Sequence, residues 1–465
     1  MSFRRILVAN RGEIAARVIR TCRRLGIETV LTVSDADTRS LPARLADKTI
    51  RIGPAPAPAS YLDVDAVVGA ALAAGADAVH PGYGFLSENP LLARACAAAG
   101  VAFIGPSAET LVSTGDKLAA REHAVAAGLP VLPGAEVTGA EAGRLADQIG
   151  YPVLVKAAGG GGGRGLRVVR DPADLAHAAA VASAEAGAAF GDPRVYLERY
   201  VSPARHVEVQ LLGDGEQVIH LGDRDCSVQR RYQKLVEEAP APLLGDDLRD
   251  GLRAAAVALG ERLRYRGAGT VEFLVDPRRG AFYFLEVNAR IQVEHPVTEA
   301  ITGLDLVAEQ IAIAEGRRLR LRQEDVTFTG HAIECRVNAE DPAAGFLPSP
   351  GTVTRAVFPA GARVDTHVQA GSAVPPHYDS LLAKVVARGA GRGAALRRLA
   401  GALERCAIDG VVTNLGLHRA LLADGEFAAG GVDTGYLERL LARESARAVR
   451  ENGSRHYTGS GVGHG

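Results

Sequence analysis

The chain has 465 residues, 47% of them hydrophobic, and a formal net charge of −1, so it is long enough for about three domains. This charge balance gives no reason to expect a nucleic-acid partner, and the apolar runs are too short for a signal peptide or a membrane span. The five cysteines are scattered without a Cys-x-x-Cys pair, which is typical of reduced thiols in a cytoplasm and argues against a zinc site.

The first 116 residues predict alternating strands and helices. Residues 4–9 and 27–34 are expected to form strands, and the amphipathic helix between them ends at Gly26. Further strand–helix units follow to about residue 115. This alternation predicts a doubly wound parallel sheet, and the next helix begins after Asp116 and Lys117.

The pattern changes to α+β between about 131 and 203. Strands flank a run of five glycines in KAAGGGGGRG, residues 156–165, and a helix and another strand follow. From about Gly330 the chain is rich in strands and turns and closes with helices, which predicts a mixed β/α region. Residues 444–465 are polar and rich in glycine and serine, and we expect them to be disordered.

The glycine run predicts a β-hairpin whose bare tip covers phosphate groups, because glycine lets backbone N–H groups approach an anion closely. Gly160, Gly162 and Gly165 fit GxGxxG, but a strand follows them rather than a helix, which argues against a dinucleotide site. The sequence GxxxxGK[ST] of a P-loop does not occur. A flexible surface loop is the alternative, and Lys156 on the entering strand weighs against it.

Lysine is rare in this chain. It occurs only at positions 48, 117, 156, 234 and 384, whereas the other basic residues are all arginine. Because arginine serves as the general surface cation, each lysine is a candidate for a place that needs a compact ammonium group. Lys48 is interpreted as incidental, whereas Lys117, Lys156 and Lys234 fall within the motifs described below.

Residues 270–296 predict a second polar cluster on a hairpin. With Asp276 near Ala281 across the turn, Glu272 lies about opposite Glu286, and two facing carboxylates repel unless a cation separates them. Asn288 shares their face. Two carboxylates and an amide oxygen suit Mg²⁺ bound together with substrate phosphates, and a solvated strand face is the alternative.

The polar series continues at every second residue beyond the hairpin. Arg290, Gln292 and Glu294 supply a cation, an amide and a carboxylate, which together could bind a small oxyanion and remove a proton. The apolar residues that alternate with the carboxylates, namely Leu285, Val287 and Ala289, are expected to pack on the other face. An edge strand of mixed charge is the alternative.

Several long motifs resemble one family. The segments YPVLVKAAGGGGGRG and FLEVNARI resemble the paired signatures of the ATP-grasp superfamily. NRGEIAARVIR, HPGYGFLSEN, RHVEVQ, DCSVQRRYQKLVEEAPAP, RIQVEHPVTE and GHAIECRVNAEDP resemble biotin carboxylase, over about residues 1–440. The resemblance implies an N-terminal domain at 1–116, an ATP-grasp domain at 117–318 with its lid at about 131–203, and a C-terminal domain at 330–443.

The resemblance also implies roles for individual residues. Glu294 is implied as the general base, Arg336 as the residue that meets the biotin ureido oxygen, and Glu272, Glu286 and Asn288 as ligands of two Mg²⁺ or Mn²⁺ ions. Lys234, Arg290, Gln292 and the Val293 N–H are implied to bind bicarbonate. The implied ATP-binding residues are Lys117, Lys156, Gly162, Gly163, Glu198, Arg199, Tyr200, Val201, His206, Gln229, Tyr232, Glu272 and Glu286.

The implied reaction is the ATP-dependent carboxylation of biotin. Glu294 deprotonates bicarbonate, which attacks the γ-phosphate to give carboxyphosphate, and Arg336 stabilises the biotin oxygen while its nitrogen is carboxylated. The implied cofactors and substrates are ATP, magnesium or manganese, and biotin on a carrier. The implied partners are a biotin carboxyl carrier protein, carboxyltransferase subunits of an acetyl-CoA or other acyl-CoA carboxylase, and a second copy in a homodimer.

The sequence departs from the family pattern at three positions. Tyr232 stands where a nucleotide-contacting histidine is usual, Ala289 replaces a threonine or proline, and Arg24 stands where some relatives carry an acidic dimer-contact residue. The alternatives are another ATP-grasp ligase and a non-catalytic nucleotide-binding subunit, which Tyr232 favours.

No covalently bound biotin is expected on this chain. The family's carrier domain holds its lysine in a Met-Lys-Met context, whereas this chain has one methionine and no lysine after Lys384. We therefore expect a stand-alone catalytic subunit that acts on a separate biotinylated protein.

Overall fold

The structure is a computed structural model that describes residues 2–137, 142–158 and 166–457. Gly162 and Gly163, the predicted lid tip, lie outside the described residues, and so do residues 458–465.

The N-terminal region forms the predicted parallel sheet. Its strands are β1 (Arg5–Val8), β2 (Glu28–Ser34), β3 (Lys48–Gly53), β4 (Ala78–His80) and β5 (Ala102–Phe103). Its helices are α1 (Gly12–Arg24), α2 (Leu41–Leu45), α3 (Val64–Ala74), α4 (Pro90–Ala98) and α5 (Ala108–Gly115). The strand order is β3-β2-β1-β4-β5 and all pairings are parallel, which confirms a doubly wound sheet.

The strand order reverses between β1 and β4, whose carboxyl ends meet at one edge of the sheet. Asn10, just after β1, donates from Nδ2 to the carbonyls of Pro81 at 2.7 Å and Tyr83 at 2.8 Å, in the loop after β4. Helix α1 begins two residues later at Gly12, where φ is +68°. Ligands of open parallel sheets bind at such a reversal, so this edge is a candidate binding wall.

A separate four-stranded sheet contains the predicted lid hairpin. It comprises β6 (Gly134–Val137), β7 (Val153–Ala157), β8 (Arg167–Val169) and β9 (Val195–Arg199), in the order β6-β9-β7-β8. The nearby helices are α6 (Lys117–Ala126), α7 (Ala142–Ile149) and α8 (Leu175–Phe190). Strands β7 and β8 pair antiparallel on either side of the glycines, which confirms the predicted strands.

The rest of the chain is built on one larger sheet. Before residue 330 the elements are β10 (Arg205–Asp214), β11 (Val218–Arg230), β12 (Gln233–Ala239), α9 (Asp246–Arg262), β13 (Arg266–Asp276), β14 (Ala281–Asn288), α10 (His295–Thr302) and α11 (Leu306–Ala314). After it come β15 (His331–Asn338), β16 (Glu340–Asp341), β17 (Leu347–Pro348), β18 (Gly351–Thr352), β19 (Arg355–Val357), β20 (Arg363–Thr366), β21 (Ala373–Val374), β22 (Leu381–Gly389), α12 (Arg392–Glu404), β23 (Ala407–Asp409), α13 (Leu415–Ala423), α14 (Gly425–Ala429) and α15 (Tyr436–Tyr457).

Eight of these strands form a continuous antiparallel sheet in the order β14-β13-β10-β11-β12-β15-β22-β20. The predicted ATP-grasp and C-terminal regions therefore share one sheet, joined where β12 pairs with β15. Helix α9 packs on one part of the sheet through Leu252, Ala256 and Leu259, and α12 packs on the other part through Leu399 and neighbouring residues.

Helix α15 differs from the prediction. We expected disorder from residue 444, but the helix that begins at Tyr436 continues to Tyr457. Arg443 on this helix pairs with Asp424 at 3.0 Å and with Glu426 at 2.9 Å, which stabilises its second turn against α14. Among the described residues, no helix combines the length and the apolar character needed to cross a bilayer.

Candidate active site

A cavity of about 1320 Å³ lies between the carboxyl edge of the N-terminal sheet, the lid sheet and the eight-stranded sheet. Every predicted site residue in the described part of the chain lines it, except Glu294, which is fully buried. The predicted residues on its wall are Lys117, Lys156, Glu198, Arg199, Tyr200, Val201, His206, Gln229, Tyr232, Lys234, Glu272, Glu286, Asn288, Arg290, Gln292, Val293 and Arg336.

The β13–β14 hairpin places two carboxylates opposite each other. Asp276 pairs with Ala281 and Glu272 pairs with Glu286, which confirms the predicted register. A bulge between Glu272 and Phe273 is required, because regular pairing from the turn would set Glu272 opposite Leu285.

The same bulge makes the prediction for Leu285 wrong. Val287 and Ala289 are buried as expected, but Leu285 lines the cavity. The bulge interrupts the two-residue alternation, so that the side chains of consecutive residues no longer fall on strictly opposite faces. Leu285 thus joins Leu132, Leu154 and Leu274 in an apolar part of the wall.

Glu272 and Glu286 differ in their surroundings. Burial would raise the pKa of Glu272, but the charges of Lys234 and His206 outweigh it and hold that pKa below its ordinary value. Burial and the charge of Glu272 raise the pKa of Glu286. Within the described ranges, no group donates a hydrogen bond to the Glu286 carboxylate.

Lys117 faces this carboxylate across the cavity. It makes no hydrogen bond and no ion pair within 4 Å in the described part of the chain, and burial lowers its pKa while Glu286 acts in the opposite direction. A half-buried ammonium and a half-buried carboxylate that both lack close partners are suited to ligands that bring opposite charges, namely a phosphate and a cation.

The donor set fits a divalent metal ion. Carboxylates that repel each other beside an amide are typical ligands of Mg²⁺. In this structure Asn288 Nδ2 donates to Glu272 Oε1 at 2.9 Å and Asn288 Oδ1 accepts from Arg290 at 2.8 Å. Metal ligation by the amide oxygen therefore requires the Asn288 side chain to turn over.

Lys234 lies among three carboxylates. Its Nζ is 2.6 Å from Glu208, 2.8 Å from Glu272 and 2.7 Å from Glu294, so the three N–H donors of the ammonium group are all used. Burial would lower the pKa of Lys234, but the carboxylates raise it well above its ordinary value. This arrangement requires a compact cation and explains why a lysine stands here in an arginine-rich chain.

Glu294 lies behind Lys234 and Arg336. Its Oε1 accepts from Lys234, and its Oε2 accepts from Arg336 at 2.9 Å. Burial would raise the pKa of Glu294, but the charges of Lys234 and Arg336 hold it well below its ordinary value. The carboxylate is therefore ionised and both of its oxygens bind cations.

Arg336 also binds a second buried carboxylate. Its Nε donates to Glu237 at 2.5 Å, and Glu237 faces Glu334 across the β12–β15 pairing. Burial raises the pKa of Glu237 to about 7, with Arg336 acting in the opposite direction. Burial also raises the pKa of Glu334 well above its ordinary value, and both Glu334 oxygens lack hydrogen-bond partners among the described residues.

The segment after β14 is not the edge strand that the sequence left as the alternative. Strand β14 ends at Asn288, and residues 289–294 are irregular, yet Arg290 and Gln292 still line the cavity. Glu88, from the loop before α4, holds this segment: it accepts from Arg290 Nε at 2.8 Å and from the Ala289 N–H at 2.9 Å.

The predicted ATP-binding residues Glu198 to Val201, called the hinge below, lie at the end of β9 and directly after it. The Arg199 side chain donates to the Ile149 carbonyl at 2.7 Å and so stabilises the fold of the lid region. Glu198 forms an ion pair with Lys156, and the Lys156 ammonium lies 5.6 Å from the centre of the Tyr196 ring. Burial would lower the pKa of Lys156, but Glu198 outweighs it and raises that pKa.

His206 and Gln229 form a buried pair beside the carboxylates. His206 Nε2 is 3.0 Å from Glu272, and Gln229 Nε2 is 3.3 Å from His206 Nδ1. Burial would lower the pKa of His206, but Glu272 outweighs it and raises that pKa.

Tyr232 lies at the mouth of the cavity. It occupies the β11–β12 turn, where Arg231 and Tyr232 both have positive φ, at +46° and +68°. Its side chain is 45% exposed, so it borders the site without being fixed inside it.

Several residues at the site were not predicted from the sequence. Their common feature is that they hold another site residue by an ion pair or hydrogen bond from a distant segment. Glu88 lies inside the motif HPGYGFLSEN, and Glu237 lies inside DCSVQRRYQKLVEEAPAP. The charges of these two side chains were the available signal in the sequence that they support the site. These residues are Glu13, Glu88, Glu208, Glu237 and Lys384.

Three protein-family descriptions match the chain. They are "Biotin carboxylase, N-terminal domain" over residues 2–111, "Carbamoyl-phosphate synthase L chain, ATP binding domain" over 116–322 and "Biotin carboxylase C-terminal domain" over 334–439.

Individual relatives match over almost their whole length. The biotin carboxylase of Pseudomonas aeruginosa is 50% identical over 447 residues, covering 95% of this chain and 99% of that protein. A pyruvate carboxylase subunit of Methanothermobacter thermautotrophicus is 46% identical, covering 97% and 93%. The biotin carboxylase domain dimer of Hydrogenobacter thermophilus 2-oxoglutarate carboxylase, with MgADP, ADP and bicarbonate, has a TM-score of 0.92 at 45% identity, covering 95% of this chain and 99% of that chain.

The separate lid sheet and the hairpin of paired carboxylates on opposite sides of one cavity define an ATP-grasp enzyme. The match along nearly the whole chain is more specific than that class. This chain belongs to the biotin carboxylase family, which confirms the resemblance drawn from its motifs.

Proposed function

We propose that this chain carboxylates biotin held on a separate carrier protein and that the large cavity is where the reaction takes place. Its family establishes ATP-dependent biotin carboxylation as the activity. The observation that carries the assignment of the site is the position of Glu294, a buried carboxylate held between Lys234 and Arg336 and adjacent to the Glu272–Glu286 pair.

In this proposal, the nucleotide lies between the lid sheet and the β13–β14 hairpin. The apolar wall that includes Leu285 receives the base, the hinge from Glu198 to Val201 offers backbone groups, and Lys117 and Lys156 face the phosphates. Glu272, Glu286 and Asn288 would hold magnesium, or manganese, which draws charge from the phosphoryl oxygens when bound. The glycines at Gly162 and Gly163 are proposed to cover the phosphates.

Bicarbonate is proposed to bind beside Lys234, Arg290, Gln292 and the Val293 N–H, where Glu294 removes its proton. The low pKa of Glu294 makes it a weak base while it is paired with both cations. Anionic bicarbonate competes for Lys234, and the biotin ureido oxygen competes for Arg336. Substrate binding thus weakens the partners of Glu294 and raises its basicity when the proton must be removed.

The deprotonated bicarbonate then attacks the γ-phosphorus of ATP, forming carboxyphosphate and ADP. Loss of CO₂ from carboxyphosphate leaves phosphate, which takes the proton from the biotin nitrogen that attacks CO₂. In the proposal, Arg336 stabilises the negative charge that develops on the ureido oxygen. The closed lid excludes water from the labile intermediate.

The proposed partners are a biotin carboxyl carrier protein and the carboxyltransferase subunits of an acetyl-CoA or other acyl-CoA carboxylase. The relatives whose names include pyruvate carboxylase and 2-oxoglutarate carboxylase make a keto acid the alternative acceptor. A homodimer is proposed because the Hydrogenobacter thermophilus relative is described as one. Arg24, which stands where some relatives carry an acidic dimer contact, donates to Asp305 of its own chain.

We also propose that the chain is divided at residues 116, 318 and 330, as the family ranges suggest, and that it works in the cytoplasm. The five cysteines are buried and unpaired, which supports a reducing compartment.

ATP turnover measured with and without bicarbonate tests the proposal, together with a streptavidin blot of the purified chain and an assay with added biotinylated carrier. We expect bicarbonate-dependent ADP formation, carboxybiotin only when carrier or free biotin is added, and no biotin on the chain itself. Turnover that is independent of bicarbonate would favour another ATP-grasp ligase. Nucleotide binding without any turnover would favour a regulatory subunit.

A further inference from the structure

Lys384 is the one lysine in a buried position to which the proposed reaction assigns no task. It lies on β22, and its side chain is completely buried, whereas the side chain of Lys48 is 63% exposed. Arginine serves nearly everywhere else as the cation of this chain, so a buried ammonium group requires an explanation.

The ammonium group of Lys384 contacts the segment that carries the proposed base. Its Nζ donates to the Val293 carbonyl at 2.9 Å and lies 3.0 Å from Glu13 Oε1 on α1. In the sheet, Lys384 is directly opposite Arg336 on β15 and Asp365 on β20. Strand β22, helix α1 and the segment after β14 therefore meet at the ammonium group of Lys384.

We propose that Lys384 is a positioning residue that fixes the turn between Val293 and Glu294. Lys384 binds the Val293 carbonyl, which forms one peptide group with the Glu294 nitrogen. This charge-assisted hydrogen bond fixes the orientation of that peptide plane and therefore the direction of the Glu294 side chain. The preceding peptide presents the Val293 N–H, which the proposed function assigns to bicarbonate. The inference rests on that proposed function.

Glu13 holds the ammonium group in place and connects it to the other side of the cavity. Glu13 also accepts a hydrogen bond from the hydroxyl group of Tyr83. Tyr83 lies in the loop after β4 and lines the cavity. Burial raises the pKa of Glu13, with Lys384 acting in the opposite direction. The turn that bears the base is thus fixed to helix α1 of the N-terminal region through a buried ion pair.

The test compares Lys384→Met with Lys48→Met, which removes a lysine from an exposed position, and with the double variant Lys384→Met/Glu13→Gln. Removing Lys384 alone leaves the Glu13 charge buried without its partner, which destabilises the fold, whereas the double variant removes both charges. Initial rates of ATP turnover are measured against bicarbonate and, separately, against ATP, with melting temperatures recorded for every variant.

We expect kcat/KM for bicarbonate to fall by about 10²-fold in Lys384→Met, because small displacements of a catalytic group have effects of that size. KM for ATP should stay the same, and Lys48→Met should behave as the unmodified chain. In the double variant we expect the melting temperature to recover but kcat/KM for bicarbonate to remain low.

Recovery of both quantities in the double variant would overturn the proposal, since it would mean that Lys384 only neutralises Glu13. An unchanged kcat/KM for bicarbonate in either Lys384 variant would also overturn it. Glu294→Gln is measured in parallel. If that variant keeps full activity, the proposed function of the turn is wrong; if it is impaired while the Lys384 variants are not, the Lys384 inference alone is wrong.

Discussion

The two ends of the cavity differ in how their charged side chains are neutralised. At one end, Lys117 and Glu286 lack close partners among the described residues. At the other end, Glu294 binds Lys234 and Arg336, and each of these cations binds at least one further carboxylate. The first end is arranged for ligands that bring their own charges, whereas the second end must exchange internal ion pairs for contacts with substrate.

The largest expected effect is at the internally paired end. Glu294→Gln should lower carboxylation by about 10³-fold because the general base is lost. It should also destabilise the fold by about 3 kcal/mol, because Lys234 and Arg336 lose a buried countercharge. Steady-state rates and thermal melting measure the two effects, and nucleotide binding should be retained. Wild-type activity at every pH would exclude Glu294 as the base.

Glu286→Gln should separate activity from stability at the other end. Loss of a metal ligand should lower ATP turnover by at least about 10²-fold. The melting temperature without nucleotide should stay the same or rise, because the variant removes the repulsion between two facing carboxylates. MgATP should raise the melting temperature of the unmodified chain more than that of the variant. Normal turnover at saturating magnesium would remove this pair from the site.

Glu237 should make the stability of the internally paired end depend on pH. Burial raises its folded pKa to about 7, above the unfolded value, so between about pH 4.5 and 7 the native state binds more protons than the unfolded state. This group therefore makes stability fall as pH rises through that window. Glu237→Gln lacks the effect, so its melting temperature relative to the unmodified chain should increase from pH 5 to pH 8. A constant difference would show that Glu237 does not titrate there.

The smallest effect is expected at the exposed rim. Partial burial raises the pKa of Tyr232, so its phenol is neutral between pH 6 and 7 and nucleotide affinity should depend little on pH there. Tyr232→His should change KM for ATP only a few-fold and add a pH dependence in that range, because imidazole titrates near pH 6.5. If the substitution instead activates an otherwise inert chain, the regulatory-subunit interpretation is favoured.

The sequence predicted the elements of the site better than the contacts between them. Alternating apolar residues predicted β13 and β14, and the turn predicted the pairing of Asp276 with Ala281, because strand pairing propagates from a short loop. The position of Leu285 could not be predicted in this way, since the bulge depends on packing of the sheet. The segment from 289 to 294 alternates like a strand but has no pairing partner, and local pattern alone does not reveal that.

The supporting residues were missed for a different reason. Glu88, Glu237 and Lys384 act on site residues that are far away in sequence, through ion pairs made by the fold. A single sequence contains their charges but not their partners. The count of lysines was a signal for Lys384, because it made every lysine of this arginine-rich chain a candidate for a special position.

The continuous eight-stranded sheet also limits how the polypeptide can be divided. A backbone cut between Asp325 and Gly330 would separate β12 from β15, whose paired edges hold Val236 opposite Cys335 and Ala239 opposite Ala332. Each fragment would then present an open row of N–H and carbonyl groups flanked by apolar side chains, a template for self-association. Co-expressed fragments should recover a soluble complex, whereas each fragment alone should precipitate.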